Sequence, residues 1–444
     1  VKIVVPLPYD VSSLAHGRNL RIVNLLRELN NHSDLCCVVA DDQIAEGARA
    51  VLGTIPVASA TEAGNTCEPI TIRGSKRLCR SLQFFGCQPA LMGAMVNYAS
   101  NADVVLGFDL KSAVYLKAVA DANGRRVRTV CDLIDDPWLT WKSLSASERF
   151  SHVGIKTAIA VRIIRRELLS TFDALMAVAP RDAASLAKAT GRDVTVIPNG
   201  IHVQDVELPK TAREPMIAFT GAMDFPPNES AACYLVERVW PHVLRRLHHP
   251  VTQTTSASLE ASTSLPQCAL VGANPTPKVK RLTEHAGVQV TGWVEDVSSW
   301  LRRARVAVAP MVTGSGMKNK ILEACAAGCP VVTTLLGAAG LPTGEENGII
   351  VAETPRRMSE EVARLLEDEK ASRIIGTQGR EMVRHRFSWS SCAQKMLNIL
   401  AETSRTTSWS PNQATVNSTD LDSPVSVLTE QPLRDEETLL HAAS

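Results

Sequence analysis

Aromatic residues are scarce in this chain: Phe, Trp and Tyr make up 4% of 444 residues. A platform for stacking single-stranded bases needs more of them. Charge of one sign is also missing. The formal net charge is +1, so no general field draws nucleic acid to the surface. The 11 cysteines include no C-x-x-C pair. An odd, scattered set points to reduced thiols in a cytoplasmic protein, not to disulfides or zinc. Cys325 and Cys329 lie four apart, but no His or Cys follows at finger spacing, and core thiols explain them. The ten histidines show no H-E-x-x-H or similar spacing, so no metal site is expected. No apolar run approaches the length of a membrane span, and no secretory apolar region opens the chain. The first residue is Val1 and strand pattern sets in at Lys2, from which we expect no long preceding segment.

What is present is alternation. A length of 444 residues suggests two domains. Short β-branched runs alternate with amphipathic stretches, the pattern of parallel α/β units. Strand candidates in the first half are 2–8, 34–40, 103–108, 126–133, 174–179 and 194–198. Between the first two, Leu20, Val23, Leu26 and Leu29 recur at helical spacing. Residues 198–215 hold three prolines and no helical period, and read as an interdomain linker. The pattern then restarts at 216–221, 268–272, 288–292, 306–310, 330–334 and 348–352. Four of these six runs end in Gly or Pro. Because open parallel sheets bind ligands beyond the carboxyl ends of their strands, the second half reads as a ligand-binding sheet. Residues 251–266 are rich in Ser and Thr and read as a surface insertion. The polar stretch 403–444 reads as a disordered tail.

The most informative segment is GSGMKNKILEACAAGCPVV, residues 314–332. A glycine-rich turn leads into a helix, with Lys318 and Lys320 in its first turn and Glu323 one turn later. Free N–H groups and the positive dipole end suit a phosphate, and lysines add charge. An ionised carboxylate accepts strong hydrogen bonds from sugar hydroxyls. The combination suits a nucleoside diphosphate joined to a sugar. A lysine at ~4 Å from the diphosphate, in an effective dielectric near 20, would contribute about 4 kcal/mol, whereas an exposed pairing would contribute about 0–1 kcal/mol. Location therefore decides. For Lys318 a solvated helix face is nearly as good a reading as a phosphate contact.

Taken in order, PNGI (198–201), FTGAMDFPPNESAA (219–232), the run 290–334 and FSW (387–389) resemble retaining glycosyltransferases of family 4, or group 1. The likeness is greatest to sugar transferases of exopolysaccharide clusters. It is strong over 190–400 and weaker over 1–190. The resemblance implies an α/β GT-B architecture, with two Rossmann-like domains facing a cleft. An acceptor domain would span 1–200, with a last helix (387–402) packing back on it, and a donor domain would span 201–386. It further implies a metal-free enzyme that takes a UDP- or GDP-linked sugar donor and needs no other cofactor. The acceptor would be a glycan or a lipid-linked sugar at the inner face of the cytoplasmic membrane. By the same resemblance Glu323 holds the donor ribose, and Lys320 lies near the diphosphate. Gly221, Gly314, Ser315, Gly316 and Met317 line the donor, with Lys318 beside them. Trp293 and Val294 pack on the base, and Gly17 faces donor and acceptor.

Two departures stand out. Many relatives have a glutamate where this chain has Ser315. Many also have an Arg/Lys pair where this chain has AMDFPPNES. A nucleotide-sugar epimerase and a non-catalytic nucleotide-binding protein of the same architecture therefore remain alternatives. On the acceptor side, His16 can touch the acceptor or be a surface histidine. Asp132 and Asp135 in CDLIDDPW can orient a hydroxyl, or serve with Asp136 in turn and cap chemistry before Pro137. Residues 156–169 form a basic amphipathic helix. It can lie on anionic lipid as a peripheral contact or be an ordinary helix with a charged outside.

Overall fold

Apolar β-branched runs bounded by Gly, Asp and Pro build two separate parallel sheets. The computed structural model describes residues 1–14, 17–61, 71–123, 126–144, 146–203, 212–247, 265–314, 316–405 and 425–426. The chain divides into two units, Val1–Pro198 with Trp389–Ser444, and Asn199–Ser388. Among the described residues no helix is long and apolar enough to cross a membrane.

The strands of the first unit are β1 (Lys2–Leu7), β2 (Asp34–Val39), β3 (Val57–Ser59), β4 (Thr71–Ile72), β5 (Val104–Phe108), β6 (Arg128–Asp132), β7 (Ala174–Ala177) and β8 (Val194–Val196). Seven of them form one sheet in the order β3-β2-β1-β5-β6-β7-β8. The named pairs are parallel, with Ile3 beside both Leu35 and Val104. A parallel sheet is buried on both faces, so its strands read as continuous apolar runs. In β1 alternate residues go to opposite layers. Ile3, Val5 and Leu7 pack with Leu25, Leu26 and Leu29 of the helix Gly17–Asn30, and with Trp389, Met396 and Leu400 of the helix Trp389–Arg405. Val4 faces the other layer, with Met95, Tyr115 and Leu116. Both β3 and the two-residue β4 escape the sequence pattern. β3 is three residues long and carries one β-branched residue, too little for a periodicity signal. The final helix continues through Arg405, so the stretch expected to be a tail from 403 begins inside a helix.

The second unit holds β9 (Glu214–Thr220), β10 (Gln267–Val271), β11 (Val288–Val290), β12 (Ala304–Ala309), β13 (Val331–Thr333) and β14 (Ile349–Val351), in the order β11-β10-β9-β12-β13-β14. Ala218 of β9 lies between Ala269 and Ala307. One further strand, β15 (Val425–Ser426), pairs antiparallel with β4, and the remainder of the expected tail lies outside the described residues. So does 248–264, most of the expected insertion.

Two devices fix the helix Asn319–Ala326 beneath β12 and β13. Arg213, nearly buried, donates to the carbonyls of Leu301, Ala304, Ala327 and Gly328 at 2.8–2.9 Å, and so ties two helix ends together. The helix Glu369–Arg386 then passes close by because Gly376 has no side chain. A Cβ there would lie 2.1 Å from the carbonyl oxygen of Gly328. Gly376→Ala should therefore destabilise the protein by about 1–3 kcal/mol despite the better helix propensity of alanine. The midpoint of urea unfolding would fall. An unchanged or raised midpoint would show that the two helices separate freely.

Candidate functional site

The glycine turns beyond β9 and β10 come first. Gly221 and Gly272 have φ of 148° and 154°, and a Cβ on Gly272 would sit 1.8 Å from the Gly221 carbonyl oxygen. A Cβ on Gly221 would lie 2.7 Å from Asn228 Nδ2 and 2.9 Å from Lys320 Nζ. Only a bare backbone lets these side chains close over the end of β9. Lys320 Nζ donates to Asn228 Oδ1 at 2.6 Å, and Asn228 Nδ2 donates to the Ala222 carbonyl at 2.8 Å. The ammonium also lies 4.2 Å from the centroid of the Phe219 ring. It carries three donors. Asn228 takes one and the ring face offers only a cation–π contact, so donor capacity is left for a ligand. Burial pushes the Lys320 pKa down to about 7; Glu323 opposes this shift and Lys318 adds to it.

Lys320 is the second residue of the helix Asn319–Ala326. Lys318, expected in the first turn, is instead the residue before the helix. Its backbone is extended, and it makes no side-chain cap. The physical reason is the preceding turn: Gly314 and Gly316 have φ of 104° and 68°, and Lys318 Nζ folds back to the Gly316 carbonyl at 3.2 Å. The first-turn N–H groups of the helix thus lack a side-chain cap. Asn319 Oδ1 accepts from Asn199 Nδ2 at 2.8 Å, which ties the PNGI segment to this helix start. Met317 is buried beneath the turn. Glu323 is half-buried one turn on. Burial raises its pKa, and Lys320 lowers it. Ser315 lies outside the described residues.

Trp293 follows β11 after Gly292, whose φ is 70°, and is 74% exposed; Val294 beside it is half-buried. Phe225, Val312 and Leu335 are also exposed, in the loops after β9, β12 and β13. Large apolar side chains therefore cluster beyond the carboxyl ends of the strands, where ligands of such sheets bind. Sequence reasoning missed Phe219, Asn228, Phe225, Val312 and Leu335. The signal for the exposed three was positional: each stands just past a strand.

In the first unit the acceptor-side expectations fare differently. Gly17 is exposed at the start of its helix, and His16 lies outside the described residues. Asp132 has to be corrected. It is fully buried in a pair with Arg21, whose Nη2 and Nε donate to Asp132 Oδ2 at 2.7 and 3.0 Å. Its other oxygen accepts from the Ile134 N–H at 3.0 Å, so no oxygen of Asp132 faces a ligand. Asp135 is half-buried. Asp136 caps the helix Pro137–Ser143 through Trp138 N–H and lies 3.0 Å from Arg165. At the end of β5, where the strand order reverses beside β1, stands a group the sequence did not flag. Asp109 has φ 61°, Arg18 Nη1 lies 3.8 Å from its carboxylate, and Arg18 covers the Tyr9 ring at 4.1 Å. Burial raises the Asp109 pKa and Arg18 lowers it. Among the described residues no group of three or more His, Cys, Asp and Glu side chains could hold a metal.

Two Rossmann-like parallel sheets, the second with a lysine and a helix start lacking a side-chain cap beyond its strand ends, define a protein of GT-B fold. Residues 214–368 match the family model of the glycosyl transferases group 1. A phosphatidyl-myo-inositol mannosyltransferase of Propionibacterium freudenreichii is 27% identical over 202 residues, 42% of this chain and 45% of that protein. The match thus spans less than half the length of that curated relative. HepE of Anabaena, solved in complex with UDP and glucose, is similar in fold, with TM-score 0.57 and 15% identity over 90% of this chain and 99% of that one. A TarM variant of S. aureus, in complex with fondaparinux, alpha-GlcNAc-glycerol and UDP, gives TM-score 0.59 and 11% identity over 90% and 99%.

Proposed function

We propose that the protein is a retaining, metal-independent glycosyltransferase. It moves a sugar from a nucleotide donor, UDP- or GDP-linked, to a glycan or lipid-linked acceptor in surface polysaccharide synthesis. The observation that carries this reading is the Lys320 ammonium, partly unsatisfied and held by Asn228 against the bare backbone of Gly221, at the start of an uncapped helix. Departure of the nucleoside diphosphate builds negative charge on its phosphates. Fixed donors aimed at that charge stabilise the transition state more than the ground state. Lys320 and the amides of 319 and 320 supply those donors. Glu323, one turn along the same helix, accepts from the ribose hydroxyls, and the exposed Trp293 with Val294 receives the base. The UDP complexes of HepE and TarM support a nucleotide donor.

Glu323→Ala should weaken UDP binding by ~1.5–3 kcal/mol for each charged hydrogen bond removed, about tenfold or more in dissociation constant. Isothermal calorimetry reads this directly. Unchanged affinity for UDP and for GDP would remove Glu323 from the site.

A further inference from the structure

Beyond the carboxyl end of β6 the first unit holds an aromatic pair that the donor site does not use. Trp138 and Trp141, three apart on the helix Pro137–Ser143, stack with ring centroids 4.9 Å apart and planes at 21°. Both are half-buried, so the stack keeps indole surface open to solvent. Its base is held from three sides. Asp136 accepts from the backbone N–H of Trp138 at 3.0 Å, its own backbone N–H donates to Asp182 at 2.8 Å, and its carboxylate lies 3.0 Å from Arg165. Trp141 Nε1 donates to the Gly154 carbonyl at 2.9 Å, which anchors that ring to the helix His152–Ile163. The indole N–H of Trp138 has no acceptor among the described residues. Two cations stand beside the rings. Lys142, exposed, holds its ammonium 5.5 Å from the Trp138 ring centroid. Arg149 Nη1 donates to the Lys142 carbonyl at 3.2 Å, while its buried Nε has no partner. Among the described residues neither cation has an ion-pair partner.

We propose that Trp138 and Trp141 form a subsite for a pyranose ring with a negatively charged substituent, a carboxylate or a phosphate. The C–H face of a pyranose is apolar and slightly positive, so it lies on the negative face of an indole, as a cation does. The free indole N–H of Trp138 donates to a ring hydroxyl, and Lys142 with Arg149 meets the negative charge. The place also suits a ligand. Open parallel sheets bind beyond the carboxyl ends of their strands, and β6 neighbours β5, which pairs with β1 where the strand order reverses. A lipid chain on the same rings would leave the indole N–H without an acceptor. Only the sugar's role as acceptor rests on the proposed function; its binding does not.

Saturation-transfer NMR on the full chain tests this with methyl β-glucuronide, glucose 1-phosphate and methyl β-glucoside, with UDP added to fill the site of the other unit. Wild type should saturate the ring C–H protons of the charged sugars, and the tighter of the two identifies the charge as carboxylate or phosphate. The neutral glucoside should bind about three- to fivefold more weakly. Trp138→Leu keeps an apolar side chain but removes the stack, and should lose about tenfold or more for every sugar. Lys142→Ala should lose only the preference for charge. Both variants should keep cooperative urea unfolding and the wild-type affinity for UDP. A wild type that binds the sugars but not UDP would overturn the donor site and leave this subsite standing. The proposal falls if no sugar is saturated, if charged and neutral sugars bind alike, or if Trp138→Leu binds like wild type. It also falls if octyl β-glucoside takes saturation on its alkyl protons alone, which would give the stack to a lipid chain.

Discussion

Lys320→Met should lower turnover about a thousandfold and flatten the pH dependence of donor binding. A charge at ~4 Å from the departing diphosphate, at an effective dielectric near 20, contributes about 4 kcal/mol, and each 1.36 kcal/mol is about tenfold in rate. Methionine keeps the length and apolar stem and removes only the ammonium. The pH effect has a definite sign. In the free protein Lys320 titrates at about 7, because burial disfavours its charged form. A bound diphosphate favours the charged form and raises that pKa. Above pH 7 binding must therefore take up a proton, and UDP affinity should fall as pH rises, by up to about tenfold per unit. Below pH 7 the lysine is already protonated and the affinity should level off. Calorimetry of UDP binding across pH 6 to 9, in two buffers of different ionisation heat, measures both the slope and the proton uptake. A methionine variant with the wild-type slope would place the titrating group elsewhere.

The contrast between Lys320 and Asp132 shows which features a sequence reveals. The Gly-rich turn, Lys320 and Glu323 are legible because everything that defines them lies within ten consecutive residues. The partner that positions Lys320 is Asn228, 92 residues earlier, inside a segment notable in the sequence for the charges it lacks. Its role appears only when β9 and the helix Asn319–Ala326 come together. The two parallel sheets were equally legible, since strands such as KIVVPL, buried on both faces, read as unbroken apolar runs. Arg21 was not. On the helix Gly17–Asn30 it reads as part of the polar side, and an arginine is rarely fully buried unless paired. Its pair, Asp132, is 111 residues away. Asp132 in turn, at the end of a strand, can orient an acceptor hydroxyl or serve turn chemistry, and its sequence leaves the acceptor role open. What closes it is the burial of its partner.

Asp132→Ala should destabilise the first unit by about 3–5 kcal/mol, the cost of leaving a buried charge unpaired. Arg21 would keep the carbonyls of Ile197 and Pro198, at 2.8 and 2.9 Å, but lose both bonds to the carboxylate. The Ile134 N–H would lose its acceptor as well, in a loop where Ile134 already has φ 58°, a strained value for a β-branched residue. Hydrogen–deuterium exchange resolves the effect by unit. Peptides from the helix Gly17–Asn30 and from β6 should exchange faster, while peptides from β9 and β12 keep their protection. Replacing both partners, Arg21→Met with Asp132→Leu, should recover much of the loss, because an apolar pair of similar volume removes both desolvation penalties. An acceptor-binding Asp132 would behave oppositely. Its alanine variant would keep wild-type exchange, raise the KM for acceptor and gain nothing from a change at Arg21.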